Sequence, residues 1–175
     1  MFSLACGDFV LHCQNDGLPD LLSEFLARAQ LAETIDLDSN ERSVAFLSVR
    51  RGAEWPFLVV AQHYYPAGYG FYPGALQIPE TELLFLGAGS RLLAFDLSRP
   101  ARLWEDSADL GFWSWSRHSD TVLMAAELEL AAWNIQGRKL WSTFVEPPWH
   151  YRVTDGRVEL DVMGKLTSFN LTSGP

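Results

Sequence analysis

The sequence predicts an all-β, mainly antiparallel domain built from repeated sheets, with one amphipathic helix near its start. Three observations predict it. Aromatic residues make up 13% of the 175 residues, with seven tryptophans and eleven phenylalanines, and such side chains suit a pleated, half-buried surface. From Ser43 onward, apolar runs of strand length alternate with turn-forming residues. The stretch Thr121–Trp141 also has counterparts on either side of it in the chain.

The length fits one domain over 1–175. It divides into an acidic N-terminal segment, 1–42, and repeated β units over 43–175. Phe2–Cys13 alternates weakly and reads as a strand broken at Gly7-Asp8, or as a hairpin of its own. Leu18, Leu21, Leu22, Phe25, Leu26 and Ala29 then form a single apolar stripe at helical spacing, which predicts a helix over about 17–31. Asp16 or Asp20 can cap its start, and Asp20 and Glu24 suit its positive end. Glu33–Arg42 reads as a polar, acidic connection.

Ser43–Arg50 is a strand, Arg51-Gly52-Ala53-Glu54 a hairpin turn and Trp55–Tyr65 a second strand. The following run, Tyr64 to Gly74, holds three glycines and two prolines and five aromatic rings, so it reads as a long aromatic loop. Repeats then fall near 82–105, 121–146 and 157–174. Aligning Asp96, Asn134 and Asn170 places Phe95, Trp133 and Phe169 in one column and Leu97, Ile135 and Leu171 in the next, at spacings of 38 and 36 residues. Gly87-Ala88-Gly89-Ser90 and Met163-Gly164-Lys165 are good turn text, with Gly87 and Gly89 read as turn glycines. Glu127-Leu128-Glu129 is poor turn text, which leaves Val122–Trp133 open as one continuous strand. Gly111–Ser116 and Pro147–Arg152 each carry aromatics two apart, the mark of a strand placing both rings on one face.

Leu84–Trp104 and Val122–Trp141 resemble β-propeller blades of the pyrroloquinoline-quinone type, whose repeat runs strand, turn, strand, Asp, Gly-x-x-x-Trp. Gly137 and Trp141 match that ending, Pro100 stands near where the first copy wants its glycine, and the third copy reaches Gly174. The resemblance covers about half the chain and implies a scaffold of blades; it assigns no cofactor and no functional residue. A closed propeller needs about four or more blades. Ser43–Tyr65 supplies a degenerate fourth, or else the blades stack as an open wedge, with the helix covering an end that would otherwise expose a sheet edge.

The net charge is −9, and residues 1–41 hold eight acids against the single base Arg28. Charge of this sign disfavours nucleic acid and anionic membrane surfaces and favours a basic protein partner. No run approaches the ~20 apolar residues of a membrane helix, and the start lacks the pattern of a signal peptide, so the reading is cytoplasmic. Cys6 and Cys13 read as reduced thiols.

No compact metal, nucleophile or dinucleotide motif occurs, and no cofactor is expected. Within propeller geometry His63, His118, Asp120 and His150 could converge. Glu127 and Glu129, two apart, would share a strand face and with His118 and Asp161 could form a carboxylate and metal cluster; a buried Glu127 would want Arg117 or Arg138 as partner. The first function predicted is therefore a non-enzymatic protein-interaction module of bacterial type, in one concrete form an immunity protein or antitoxin. Its candidate contacts are Asp36, Asp38 and Glu41 with Tyr64, Tyr65, Tyr69, Phe71 and Tyr72. The alternative is a small metal- or ligand-binding protein or enzyme using the Glu/Asp/His cluster. A homo-oligomer is a further way of completing or covering sheet edges.

Overall fold

The computed structural model describes residues 2–15, 17–36, 43–65 and 72–175. They form four sheets that follow one another along the chain. The first contains β1 (Phe2–Cys6), β2 (Phe9–Gln14), β3 (Leu31–Ile35), β4 (Ser43–Arg51) and β5 (Leu58–Tyr64), in the order β1-β2-β4-β5-β3. The second runs β6 (Gly74–Ile78), β7 (Leu83–Ala88), β8 (Arg91–Asp96), β9 (Ala101–Ser107), and the third β10 (Phe112–His118), β11 (Thr121–Ala126), β12 (Glu129–Asn134), β13 (Lys139–Phe144). The fourth is β14 (Trp149–Thr154), β15 (Arg157–Val162), β16 (Lys165–Asn170). Every pairing is antiparallel except β3 with β5.

The last three sheets are plain meanders of blade form. The first sheet centres on the hairpin β4–β5, the segment predicted as a degenerate unit, and departs from a blade at its edges.

Strand periodicity explains how the sheets stack. Alternate side chains of a strand point to opposite faces, so each sheet can share a core with both neighbours. Leu47, Val49, Leu58 and Val60 of the first sheet meet Leu84, Leu86, Leu93 and Phe95 of the second. Phe85, Leu92 and Ala94, on the other face, meet Val122, Met124, Ala131 and Trp133 of the third. Leu123, Leu130 and Ala132 then meet Val158, Leu160 and Phe169 of the fourth. The chain is a propeller-like arc of four sheets, and among the described residues no core cluster joins the fourth sheet to the first.

The two aligned columns of the repeat are the residues that make this stacking regular. Phe95, Trp133 and Phe169 each face the preceding sheet, as do Leu97, Ile135 and Leu171. The amides of Leu97, Ile135 and Leu171 each donate back to the hairpin opening of their own sheet, at Glu82, Asp120 and Gly156. Asp96, Asn134 and Asn170 accept backbone amides of the turn that follows them, the local bond that makes Asp and Asn good turn starters.

Several local expectations need correction. The helix, α1, spans only Leu22–Arg28, its N-cap is Leu21 without a side-chain cap, and Ala29 is already extended. The stripe survives beyond it, because Leu18, Leu22, Phe25, Leu26 and Ala29 pack on Phe46, Val59 and Ala61, while Leu21 is 51% exposed. Glu33 lies in strand β3 and not in a loop, since Leu31 and Ile35 alternate into the first core. The segment β2–α1–β3 is thus a crossover between strands of the same direction. Its helix covers an outer face of the first sheet and β3 covers the β5 side, so the helix does not guard a sheet edge. Val122–Trp133 is two strands with a turn at Glu127-Leu128, not one.

The last correction concerns the aromatics of β10 and a glycine. A bulge between Phe112 and Ser114 puts Phe112 and Trp115 on one face, while Trp113 goes to the other and stacks on Trp149 with centroids 5.1 Å apart. Gly87 lies within β7, under the ring of Phe112; only Gly89 turns, with φ +61°. Trp149 and Tyr151 do share a face, as their spacing predicts.

The outer face of the fourth sheet is polar, with Arg152 bound to Glu159 at 2.6 Å and His150 4.0 Å from Asp161. No described helix is long and apolar enough to cross a membrane.

Candidate functional site

The aromatic loop begins where β5 ends, and its start packs on the turn between β7 and β8. A side chain at position 89 would put its Cβ 3.1 Å from the Tyr64 Cβ and 3.3 Å from the Tyr65 carbonyl oxygen, so glycine is what lets the two segments touch. Next to them runs the link from β9 to β10. It is clamped to the same turn by two backbone bonds, Ala108 N–H to Ser90 O at 2.8 Å and Phe112 N–H to Gly89 O at 2.7 Å. Between the clamps Leu110 adopts φ +59° and stands 52% exposed.

These segments and the end of β3 border an open cavity of about 310 Å³ lined by Asp36, His63, Tyr65, Ser90, Arg91 and Leu110. Tyr64 forms part of its wall and is buried, whereas Tyr65 and Tyr72 are each 70% exposed. Burial raises the Tyr64 phenol above its ordinary pKa, opposed by a hydrogen bond with the Ser43 side chain, and Tyr72 adds a smaller upward push. The Nδ1 of His63 is buried without a hydrogen-bond partner.

Charges around the rim form one chain. Arg91 lies 3.4 Å from Asp36 and 3.2 Å from Glu105, and Arg102 lies 2.9 Å from Glu105 and 3.2 Å from Glu33. The chain ties the β3 edge of the first sheet to β8 and β9 of the second. Burial raises the pKa of Glu33; Arg102 pulls it back and Glu105 adds to the rise.

Asp36, Tyr64 and Tyr65, predicted from two separate stretches, line this cavity together, while Tyr72 is outside the lining but near enough to Tyr64 to act on its phenol. Asp38, Glu41, Tyr69 and Phe71 lie outside the described residues. His63, Arg91 and Leu110 join the site. Arg91 and Leu110 carry no local signal, because neither a left-handed leucine nor a cross-sheet ion pair leaves a pattern in the sequence.

The alternative cluster is not assembled. Glu127 sits in the β11–β12 turn, its amide donating to Gly111 and its carbonyl accepting the Trp149 indole N–H at 3.0 Å. Glu129 begins β12, so the two do not share a strand face. Glu129 is buried, accepts the Asp109 amide at 3.2 Å and lies 3.7 Å from the Lys139 ammonium. Asp161 faces outward on the fourth sheet and accepts the Gly164 amide. His118 Nε2 lies 3.2 Å from the Ser116 hydroxyl, which also bonds Tyr151 at 2.8 Å. Burial lowers the His118 pKa. Arg117 pairs with both carboxylate oxygens of Glu80, each at 2.8 Å, and not with Glu127. His63 and His150 stand apart, at the rim and on the outer face. Among the described residues no group of three or more His, Cys, Asp or Glu is placed to hold a metal. Cys6 and Cys13 are both free, and burial pushes the Cys13 thiol up to about 11.

No protein family matches the sequence. No curated protein matches it either. Among solved structures, one similarity is to BamB from Moraxella catarrhalis. The identity is 16% and the TM-score 0.45, over 83% of this chain and 48% of that one. The chain thus spans about half the length of that structure.

Proposed function

We propose that this chain is a non-enzymatic protein-binding module that docks its partner on the rim between the first and second sheets. One observation carries the reading: exposed Tyr65 and Leu110 border a cavity whose walls are fixed by backbone clamps, and Tyr72, also exposed, lies near enough to Tyr64 to act on its phenol. Exposed aromatics beside a preformed pocket are the usual anchors of protein interfaces, because they bury large area at little conformational cost. The acidic balance, −9 over the chain, favours a basic partner and fast association with it. A cytoplasmic bacterial immunity protein or antitoxin, neutralising a basic toxin, is the concrete form that fits these properties.

The test is affinity capture from the native host lysate with wild type and with the Tyr65→Ala/Tyr72→Ala double variant, both checked for unchanged circular dichroism. Loss of hot-spot aromatics should reduce recovery of the partner by about tenfold or more. Equal recovery by the double variant would remove this rim from consideration.

A further inference from the structure

We infer that the docking surface continues from the rim across the third and fourth sheets, and that it takes an extended segment of the partner carrying apolar and basic side chains. The inference rests on the protein-binding reading and names the partner's contact. Turns and links at this end of the sheets are joined by backbone hydrogen bonds into one belt. From the Gly89-Ser90 turn it passes to the link 108–111, through Ala108 and Phe112. Glu127 N–H to Gly111 O at 3.0 Å and Leu128 N–H to Asp109 O at 3.3 Å bring in the β11–β12 turn. Val145 N–H to Leu128 O at 3.0 Å adds the link 145–148, and Met163 N–H to Pro148 O at 2.9 Å adds the β15–β16 turn.

Exposed apolar side chains follow this belt. After Tyr65 and Leu110 come Trp113, stacked on Trp149, then Phe144 at 65% exposure and Met163 at 63%. The turns at the opposite end of the same sheets, 79–82, 97–100, 119–120, 135–138 and 155–156, hold no large exposed apolar side chain among the described residues. An apolar strip confined to one end of a fold marks an interaction site. Charge then selects the partner. The segments 108–111, 127–128 and 145–148 contain Asp109, Glu127 and Glu146 and no base. None of these carboxylates has an ion-pair partner among the described residues. Arg91 and Lys165 follow the first and last segments of the belt in the chain, and Arg91 is already engaged by Asp36 and Glu105. The opposite end carries both signs, with Glu80 held by Arg117.

The shape of the belt selects an extended segment. It is a single line of turns crossing sheets that stack about 10 Å apart, so its apolar side chains recur about once per sheet. An extended chain advances about 3.3 Å per residue, so roughly every third residue of the partner meets one of them and about nine residues cover the belt. Basic residues between those anchors reach the open carboxylates.

The experiment titrates uniformly ¹⁵N-labelled protein with a set of peptides about twelve residues long. One repeats Leu-Arg-Ser, a second has Glu in place of Arg, and a third has Ser in place of Leu. The amides of Leu110, Leu128, Phe144 and Met163 are read. The Leu-Arg-Ser peptide should move them saturably and bind about tenfold more tightly than either of the others. Phe144→Ser and Glu146→Gln should each weaken it about threefold or more, while Asp155→Asn, at the opposite end, should leave it unchanged. Affinity indifferent to either exchange, shifts confined to other parts of the chain, an equal loss from Asp155→Asn, or no binding at all overturns the belt. If the belt amides do not move while Tyr65→Ala/Tyr72→Ala abolishes partner capture, the belt falls and the docking rim stands. If the Leu-Arg-Ser peptide occupies the belt and that double variant captures the partner as wild type does, the belt stands and the rim reading fails.

Discussion

The indole Nε1 of Trp104, on β9 of the second sheet, donates to the carbonyl oxygen of Gly137 in the third at 2.7 Å, and the ring stacks on Trp133 at 5.6 Å. Trp141 repeats the move one sheet on, donating to Leu171 O at 2.8 Å and lying edge-on to Phe169. Each indole thus bolts the outermost strand of one sheet to the turn of the next. Trp104→Phe keeps most of the packing and deletes the donor, leaving a part-buried carbonyl unpaired. That should cost about 1–2 kcal/mol, whereas Trp104→Ala should cost about 3–5 kcal/mol. Urea denaturation of the three proteins reads the difference. Equal midpoints for wild type and Trp104→Phe would show that the bond is not holding the sheets.

Gly87 lies so close to Phe112 that a Cβ there would sit 2.5 Å from the ring. Gly87→Ala should therefore destabilise by about 1–3 kcal/mol through overpacking. Phe112→Leu alone should also destabilise, but in the Gly87→Ala background its cost should shrink, since the smaller side chain relieves the clash. A double-mutant cycle measures this coupling; strictly additive effects would mean that the ring moves away freely.

How far the chain could be read without its structure follows from where each signal resides. The repeat columns through Trp133 and Phe169 were legible because each sheet has the same job, facing its predecessor with the same position. Asp96, Asn134 and Asn170 were legible because a turn is a local object. Strand β3 was hidden because Leu31, Glu33 and Ile35 become a strand only by pairing in parallel with β5, a partner 27 residues onward at Leu31–Leu58. The bulge at Phe112 was hidden for the same reason: two-residue alternation assigns Trp113 and Trp115 to one face, and only packing against two different sheets separates them. At the rim, the tyrosine-rich stretch around Tyr64 and Tyr65 is visible in the sequence. Its pairing with Asp36 and Arg91 depends on contacts between sheets that no local pattern records.

Gln62 is 1% exposed, and neither its amide nitrogen nor its oxygen has a hydrogen-bond partner in the protein. Its neighbours include Ala45, Leu47, Val60 and Leu86. Burying an amide in such surroundings is costly, and a thioether of similar shape avoids that cost. Gln62→Met should stabilise the fold by about 1–2 kcal/mol, seen as a higher urea midpoint with an unchanged slope. A lower midpoint would mean that the amide is satisfied in solution.

Glu33 gives the stability a sign in acid. Because burial raises its pKa above the ordinary 4.5, the folded chain holds this proton more tightly than the unfolded chain does. Its contribution is fully present below 4.5 and is lost as pH rises through the higher folded value. Glu33→Gln should flatten that part of the stability curve. Arg102→Ala should steepen it, because the guanidinium opposes the rise. Urea midpoints at closely spaced pH values through this region, compared among the three proteins, decide it; parallel curves would show that Glu33 is not the group responsible.

His118 acts in the opposite direction and in a higher window. Its pKa is lowered from the ordinary 6.5 by burial, so the folded state favours the neutral ring that lies beside Ser116 and, through it, Tyr151. The unfolded chain then binds the proton first as the solution is acidified. Stability from this residue is present above 6.5 and is lost as pH falls through 6.5 toward the folded value. His118→Gln keeps a side chain able to hydrogen-bond the serine and removes the titration, so its stability should stop depending on pH in this window while wild type still weakens. The ring protons of His118, followed by NMR, should titrate below those of an unstructured histidine. A midpoint at or above the ordinary value would contradict the burial of this ring between the third and fourth sheets.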